Sequence, residues 1–100
     1  MSGYVLTRAA LADLDDIWDY TETNWGPVQA ETYVRAIAAL CADLADGRRA
    51  SLSAEAIRAG YRKASVGRHV VFFRHDAQRI TVVRILHQRR DIDTQLDPEG

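Results

Sequence analysis

The chain has 100 residues, 47% of them apolar and 27% charged, which supports one folded domain around a modest core and excludes a disordered chain. No apolar run approaches the roughly 18 residues of a membrane span, residues 1–4 lack the basic and apolar pattern of a secretory signal, and a lone cysteine, Cys41, excludes an internal disulfide. The net charge of −1 conceals an asymmetry: residues 1–50 hold four basic and eight acidic residues, whereas residues 58–90 hold nine basic residues and one acidic residue, Asp76. The expectation is a single domain over residues 1–100, cytoplasmic, with no membrane contact and with a basic block suited to an anionic partner.

Tyr4-Val5-Leu6 reads as a short strand, and Thr7 follows as a helix N-cap. From Arg8 to about Thr23, Ala10, Leu14 and Ile17 recur at helical spacing, with Leu11 and Trp18 widening the stripe. Asp15, Asp19 and Glu22 share another face, where a solvated surface is the simpler reading than a metal site. Asn24-Trp25-Gly26-Pro27 breaks the pattern, because glycine ends one helix and proline suits the first turn of the next. Ala30, Tyr33, Ile37, Leu40 and Leu44 then form a second helical stripe that stops at Gly47, with Cys41 beside it as a small buried hydrophobe.

Residues 47–60 are the least regular part, with a short helical turn expected at 53–57. Beyond them, segments 61–66, 68–75 and 80–87 have strand character and are separated by Gly67 and by Asp76-Ala77-Gln78-Arg79. Intervals this short pair consecutive strands antiparallel. The order is therefore β-α-α-β-β-β, an α+β fold in which a helical hairpin packs on a small antiparallel sheet. One helical turn is expected after Asp91, and the tail from about residue 92 is expected to fray.

The run Arg84-Ile85-Leu86-His87-Gln88-Arg89-Arg90-Asp91 ends the last strand in a cluster of cations. His69 and His75 are six residues apart in one strand, roughly 20 Å, so they cannot share a metal ion. Gly60 and Gly67 stand alone and make no phosphate loop, and Ser65 and Cys41 have no evident base. What remains is a cationic sheet: Arg62, Lys63, Arg68, Arg74, Arg84, His87, Arg89 and Arg90. A metal-independent nuclease needs such cations together with an acid/base pair. His87 is one candidate, and its partner is missing. Strict alternation places Arg84 with Val82 and Leu86, where it either lines a functional surface or pairs with an acid such as Asp91. For His87 a structural role, holding the turn into the tail, is preferred to catalysis. Phe72 and Phe73 face opposite ways, so one belongs to the core, and the other is either a platform for a partner helix or lies beneath the tail.

Read in order, these pieces form a pattern. Tyr4-Val5-Leu6-Thr7 with Ala10, Asp13-Leu14 and Ile17, Trp25-Gly26, Ala30 and Tyr33, Gly60-Tyr61-Arg62, residues 67–74, and Arg84 to His87 with Arg90-Asp91 together resemble the ParE branch of the RelE/ParE toxin superfamily over residues 4–96. The resemblance implies a non-enzymatic toxin that needs no cofactor, binds DNA gyrase and arrests growth. It also implies a ParD-like antitoxin in a hetero-oligomer, with DNA touched only through that antitoxin. On this reading Arg62, Arg68, Phe73, Arg74, Arg84, His87, Arg89 and Arg90 are the partner-binding residues, with Arg74 or Arg84 paired to antitoxin carboxylates. RelE-like relatives cut mRNA on the ribosome, and their C-terminal catalytic tyrosine or histidine has no counterpart after His87 here. A ribosome-dependent mRNA interferase and an inactive antitoxin-binding co-regulator are the alternatives. Residues 47–52 depart from the ParE pattern, with Arg48-Arg49 where a proline is often found.

Overall fold

A computed structural model describes residues 3–89. Its elements are β1 (Gly3–Leu6), α1 (Arg8–Trp25), α2 (Pro27–Ala45), β2 (Leu52–Ser53), β3 (Tyr61–Val66), β4 (His69–His75) and β5 (Arg79–His87). They form the expected α+β arrangement, two helices against one sheet, with strand order β1-β5-β4-β3-β2.

The helix boundaries follow local chemistry. Thr7 accepts the Ala10 N–H at 3.0 Å and donates its own hydroxyl to the Val83 carbonyl at 2.8 Å, so one residue caps α1 and ties it to β5. Gly26, at φ +94°, ends α1 and opens α2, where Pro27 takes the first position. That backbone angle favours glycine. The carboxylate row Asp15, Asp19 and Glu22 is exposed, as a solvated face should be. Leu11 is 51% exposed, so the buried stripe of α1 is narrower than the sequence suggests.

The sheet departs from the expected one in three respects. β1 pairs with β5 in parallel, Gly3 opposite Arg79 through Leu6 opposite Val82, so the sheet is mixed and not wholly antiparallel. Thr7 supplies the reason, because α1 starts there and must carry the chain away from the sheet edge. The two-residue β2 adds to the free edge of β3, and the short turn lies just after it, closed by the Ile57 and Arg58 N–H groups on the Ala54 carbonyl. Finally, β5 carries a bulge: Phe72 faces Arg84 while Phe73 faces Val82, leaving Val83 as the extra residue.

The bulge overturns the strict alternation read from the sequence. Val82 and Ile85 join the core beneath the helices with Ile37, Leu40, Val71 and Phe73. Val83 and Leu86 face the other way, with Ala54, Tyr61, Val70 and Phe72. Phe72 and Phe73 are 0% and 1% exposed, so each face of the sheet holds one buried phenyl ring, each worth about 2–3 kcal/mol. Cys41 is buried beside Ile37 and Leu40, and that burial pushes its thiol pKa up to about 11.

Candidate functional site

Where β1 runs out alongside β5, α1 takes over its edge. Asp13 on α1 receives Arg84 in a two-pronged contact, Nε to Oδ2 at 2.7 Å and Nη2 to Oδ1 at 2.8 Å. Oδ2 also accepts the Ile85 N–H at 3.0 Å. The two side chains are only 23% and 12% exposed. Arg84 is therefore a clamp between α1 and β5, not a surface cation, and its partner is Asp13. The sequence reading offered Asp91, which lies outside the described residues, as does Arg90.

Other cations are similarly engaged. Arg62 holds the loop before β2, Nε to Ser51 Oγ at 2.6 Å and Nη2 to the Ser51 carbonyl at 2.9 Å. Arg74 sits 3.6 Å from Asp76 on an exposed turn, and Asp76 also accepts a hydrogen bond from Thr81. Phe73 lies in the core beneath the helices and offers no platform, because the bulge leaves both phenylalanines covered. His87 Nδ1 accepts the Arg89 N–H at 3.1 Å, and the Gln88 N–H reaches the Arg68 carbonyl at 2.9 Å. His87 thus holds the chain at the end of β5, the structural role preferred for it.

Beside this end of β5, at the β3–β4 turn, the structure gathers groups that the sequence left apart. Tyr33 on α2 reaches the β3–β4 turn, where its hydroxyl lies 2.6 Å from His69 Nδ1 and 3.1 Å from the Val66 carbonyl, and accepts the Arg68 N–H at 3.3 Å. All three contacts are satisfied together when His69 Nδ1 carries hydrogen and the tyrosine donates to Val66. Burial raises the Tyr33 pKa, opposed in part by the Arg68 backbone N–H and charge. The His69 ring meets Tyr33 at 5.6 Å and the edge of His87 at 5.5 Å. Gly67 makes this approach possible: its φ is +55°, and a Cβ there would lie 2.7 Å from the Tyr33 ring.

These residues form one wall of a cavity of about 480 Å³, whose other wall comes from the helical hairpin through Tyr20, Thr21, Trp25 and Gln29. Trp25 and Tyr20 are 71% and 56% exposed. His69 was weighed against His75 along one strand, whereas its neighbour is His87 across β4 and β5. A regular hairpin with His75 opposite Ile80 would bring Leu86 to His69; the extra residue at the bulge brings His87 instead. Among the described residues no group of three or more His, Cys, Asp or Glu is placed to hold a metal ion. No helix there is long and apolar enough to cross a membrane.

Known proteins share this architecture and sequence. The family described as the ParE toxin of the type II toxin-antitoxin system, parDE, matches residues 4–92. Toxin ParE1 of Mycobacterium tuberculosis is 44% identical over 96 residues, spanning 95% of this chain and 98% of the relative. Toxin ParE1 of Caulobacter vibrioides is 44% identical over 88 residues, 88% of this chain and 91% of that protein. Toxin ParE of Escherichia coli is 35% identical over 97 residues, 96% and 94% of the two chains. A chain of the solved "Chromosomal ParDE TA system from P. aeruginosa" superposes with a TM-score of 0.74 at 27% identity, covering 87% of this chain and 96% of its own. With the helical hairpin on its sheet, the Thr7 cap and the Arg84 strand all falling within the matched residues, the chain belongs to the ParE toxin family of type II toxin–antitoxin systems.

Proposed function

We propose that the chain arrests growth in the cytoplasm by binding DNA gyrase, without catalysing a reaction, and that a ParD-like antitoxin neutralises it. The observation that carries the non-enzymatic reading is the engagement of the meander cations Arg84, held by Asp13, and Arg62, held by Ser51. Cations held this way keep the sheet together and do not converge on a phosphodiester. Antitoxin binding is supported by the apolar residues left exposed on the helical hairpin, Leu11, Tyr20, Trp25 and Val28. An acidic–apolar segment that folds on binding would bury them. Arg68, Arg74 and Arg89, all exposed, are the proposed charged contacts, and Arg84 is withdrawn from that set. Expression without antitoxin is expected to stop growth, and purified chain to inhibit gyrase supercoiling. Normal supercoiling at excess toxin, with codon-specific mRNA cleavage, would overturn the proposal.

The contact of His69 with both Tyr33 and His87 favours one second reading, a ribosome-dependent mRNA interferase. It supplies the acid/base pair that the sequence lacked. That reading requires His87→Ala to abolish toxicity in a folded protein, and a toxic, folded His87→Ala variant removes it.

A further inference from the structure

We propose that the cavity between the helical hairpin and the β3–β4 turn binds a nucleoside phosphate, with the base against Trp25 and Tyr20 and the phosphate at Arg68. The size fits, since about 480 Å³ lies within the roughly 300–1,000 Å³ of small-molecule sites. The chemistry fits as well. No carboxylate is among the cavity's lining residues; Asp13 and Asp16 line the smaller adjoining pocket, which shares Tyr20, Thr21 and His69 with it. Arg84 and Arg74 have carboxylate partners, whereas no salt bridge among the described residues involves Arg68. Its guanidinium is a planar fork suited to phosphate oxygens.

The aromatic groups and the Gln29 amide together suit a nucleotide. Trp25 and Tyr20 expose large flat surfaces at the mouth, and such faces stack on any base. Gln29 lines the same cavity with an amide that both donates and accepts, which suits the edge of a base. On the opposite wall, His87 Nδ1 accepts the Arg89 N–H, so the neutral ring carries its hydrogen on Nε2. An acidic–apolar segment covering Trp25, Tyr20 and Arg68 would compete with the nucleotide for the same surface. The site does not depend on gyrase inhibition, which can fail without affecting it.

The test is a titration of the full chain with adenosine 5′-monophosphate, following the Trp25 indole and the His69 and His87 ring resonances. Adenosine alone and inorganic phosphate alone serve as controls. Saturable shifts are expected, with affinity falling roughly tenfold in Arg68→Ala and in Trp25→Ala, each about 1.4 kcal/mol. Arg79→Ala removes the same charge from the exposed start of β5, outside the cavity lining, and is expected to bind as the parent does, with unfolding midpoints confirming that all three variants fold. Absence of saturable shifts at millimolar nucleotide overturns the proposal. So does equal binding of inorganic phosphate, equal loss in Arg79→Ala, or capture of an acidic peptide at these resonances where the nucleotide gives none.

Discussion

Two tethers hold the helical hairpin to the sheet, and they are built from opposite chemistry. In one, Asp13 and Arg84 make a charged, largely enclosed clamp between α1 and β5. In the other, Tyr33 bonds neutral groups of the β3–β4 turn and leaves a cavity open beside it. The first uses its charge entirely within the fold. The second spends one hydroxyl on the fold and surrounds it with aromatic and cationic groups that face outward. Charge in a strand therefore says little by itself about function; the distinction lies in whether a carboxylate from another element meets it.

Breaking the charged clamp should give the largest effect. Asp13→Ala strands a largely buried guanidinium and the Ile85 N–H, and is expected to cost about 3 kcal/mol in urea unfolding. Arg84→Ala in the Asp13→Ala background should add little, a coupling that a double-mutant cycle reads directly. Gly67→Ala strikes the neutral tether, forcing alanine into a left-handed backbone and a Cβ against the Tyr33 ring, for about 2 kcal/mol. That cost should fall to about 1 kcal/mol when Tyr33→Ala removes the ring and only the backbone term remains. Tyr33→Phe keeps the ring and removes the hydroxyl, which should cost about 1 kcal/mol and shift the His69 ring resonances. The smallest effect at neutral pH concerns Cys41, in the core that both tethers enclose. Its thiol should resist alkylation in the native protein, and Asp13→Ala should accelerate labelling by opening the core. Because burial raises the folded pKa from 9.0 to about 11, the neutral thiol's contribution is intact below pH 9 and is lost as the pH climbs toward 11.

Much of the architecture was legible because it is periodic. The helical stripes, the Thr7 cap, the Gly26-Pro27 break and the three strands of the meander each announce themselves over a few neighbouring residues. What escaped depends on residues far apart or on one inserted residue. Asp13 stands 71 positions from Arg84, and only the parallel placement of β1 beside β5 brings α1 over that strand. The Val83 bulge exchanges the faces of the following residues and moves His87 opposite His69. A two-residue period carries no signal for an insertion inside a strand. Phe73 was misjudged for a related reason, since alternation separates the two faces of a sheet and does not say that both are covered.

The Thr7 cap also sets an order of events in synthesis. Its hydroxyl bonds the Val83 carbonyl, 76 positions later, and among the described residues β1 pairs with β5 alone. The helical hairpin closes through local contacts as it leaves the ribosome, whereas β1 waits until nearly the whole chain has emerged. Long-range closure of this kind slows folding. A nascent or prematurely terminated chain that lacks β5 has no clamp for α1, no strand beside β1 and no His87 at the cavity. The fold is thus completed only at the end of translation, and a partial product ending before β5 lacks the charged clamp while still containing the residues of the Tyr33 tether.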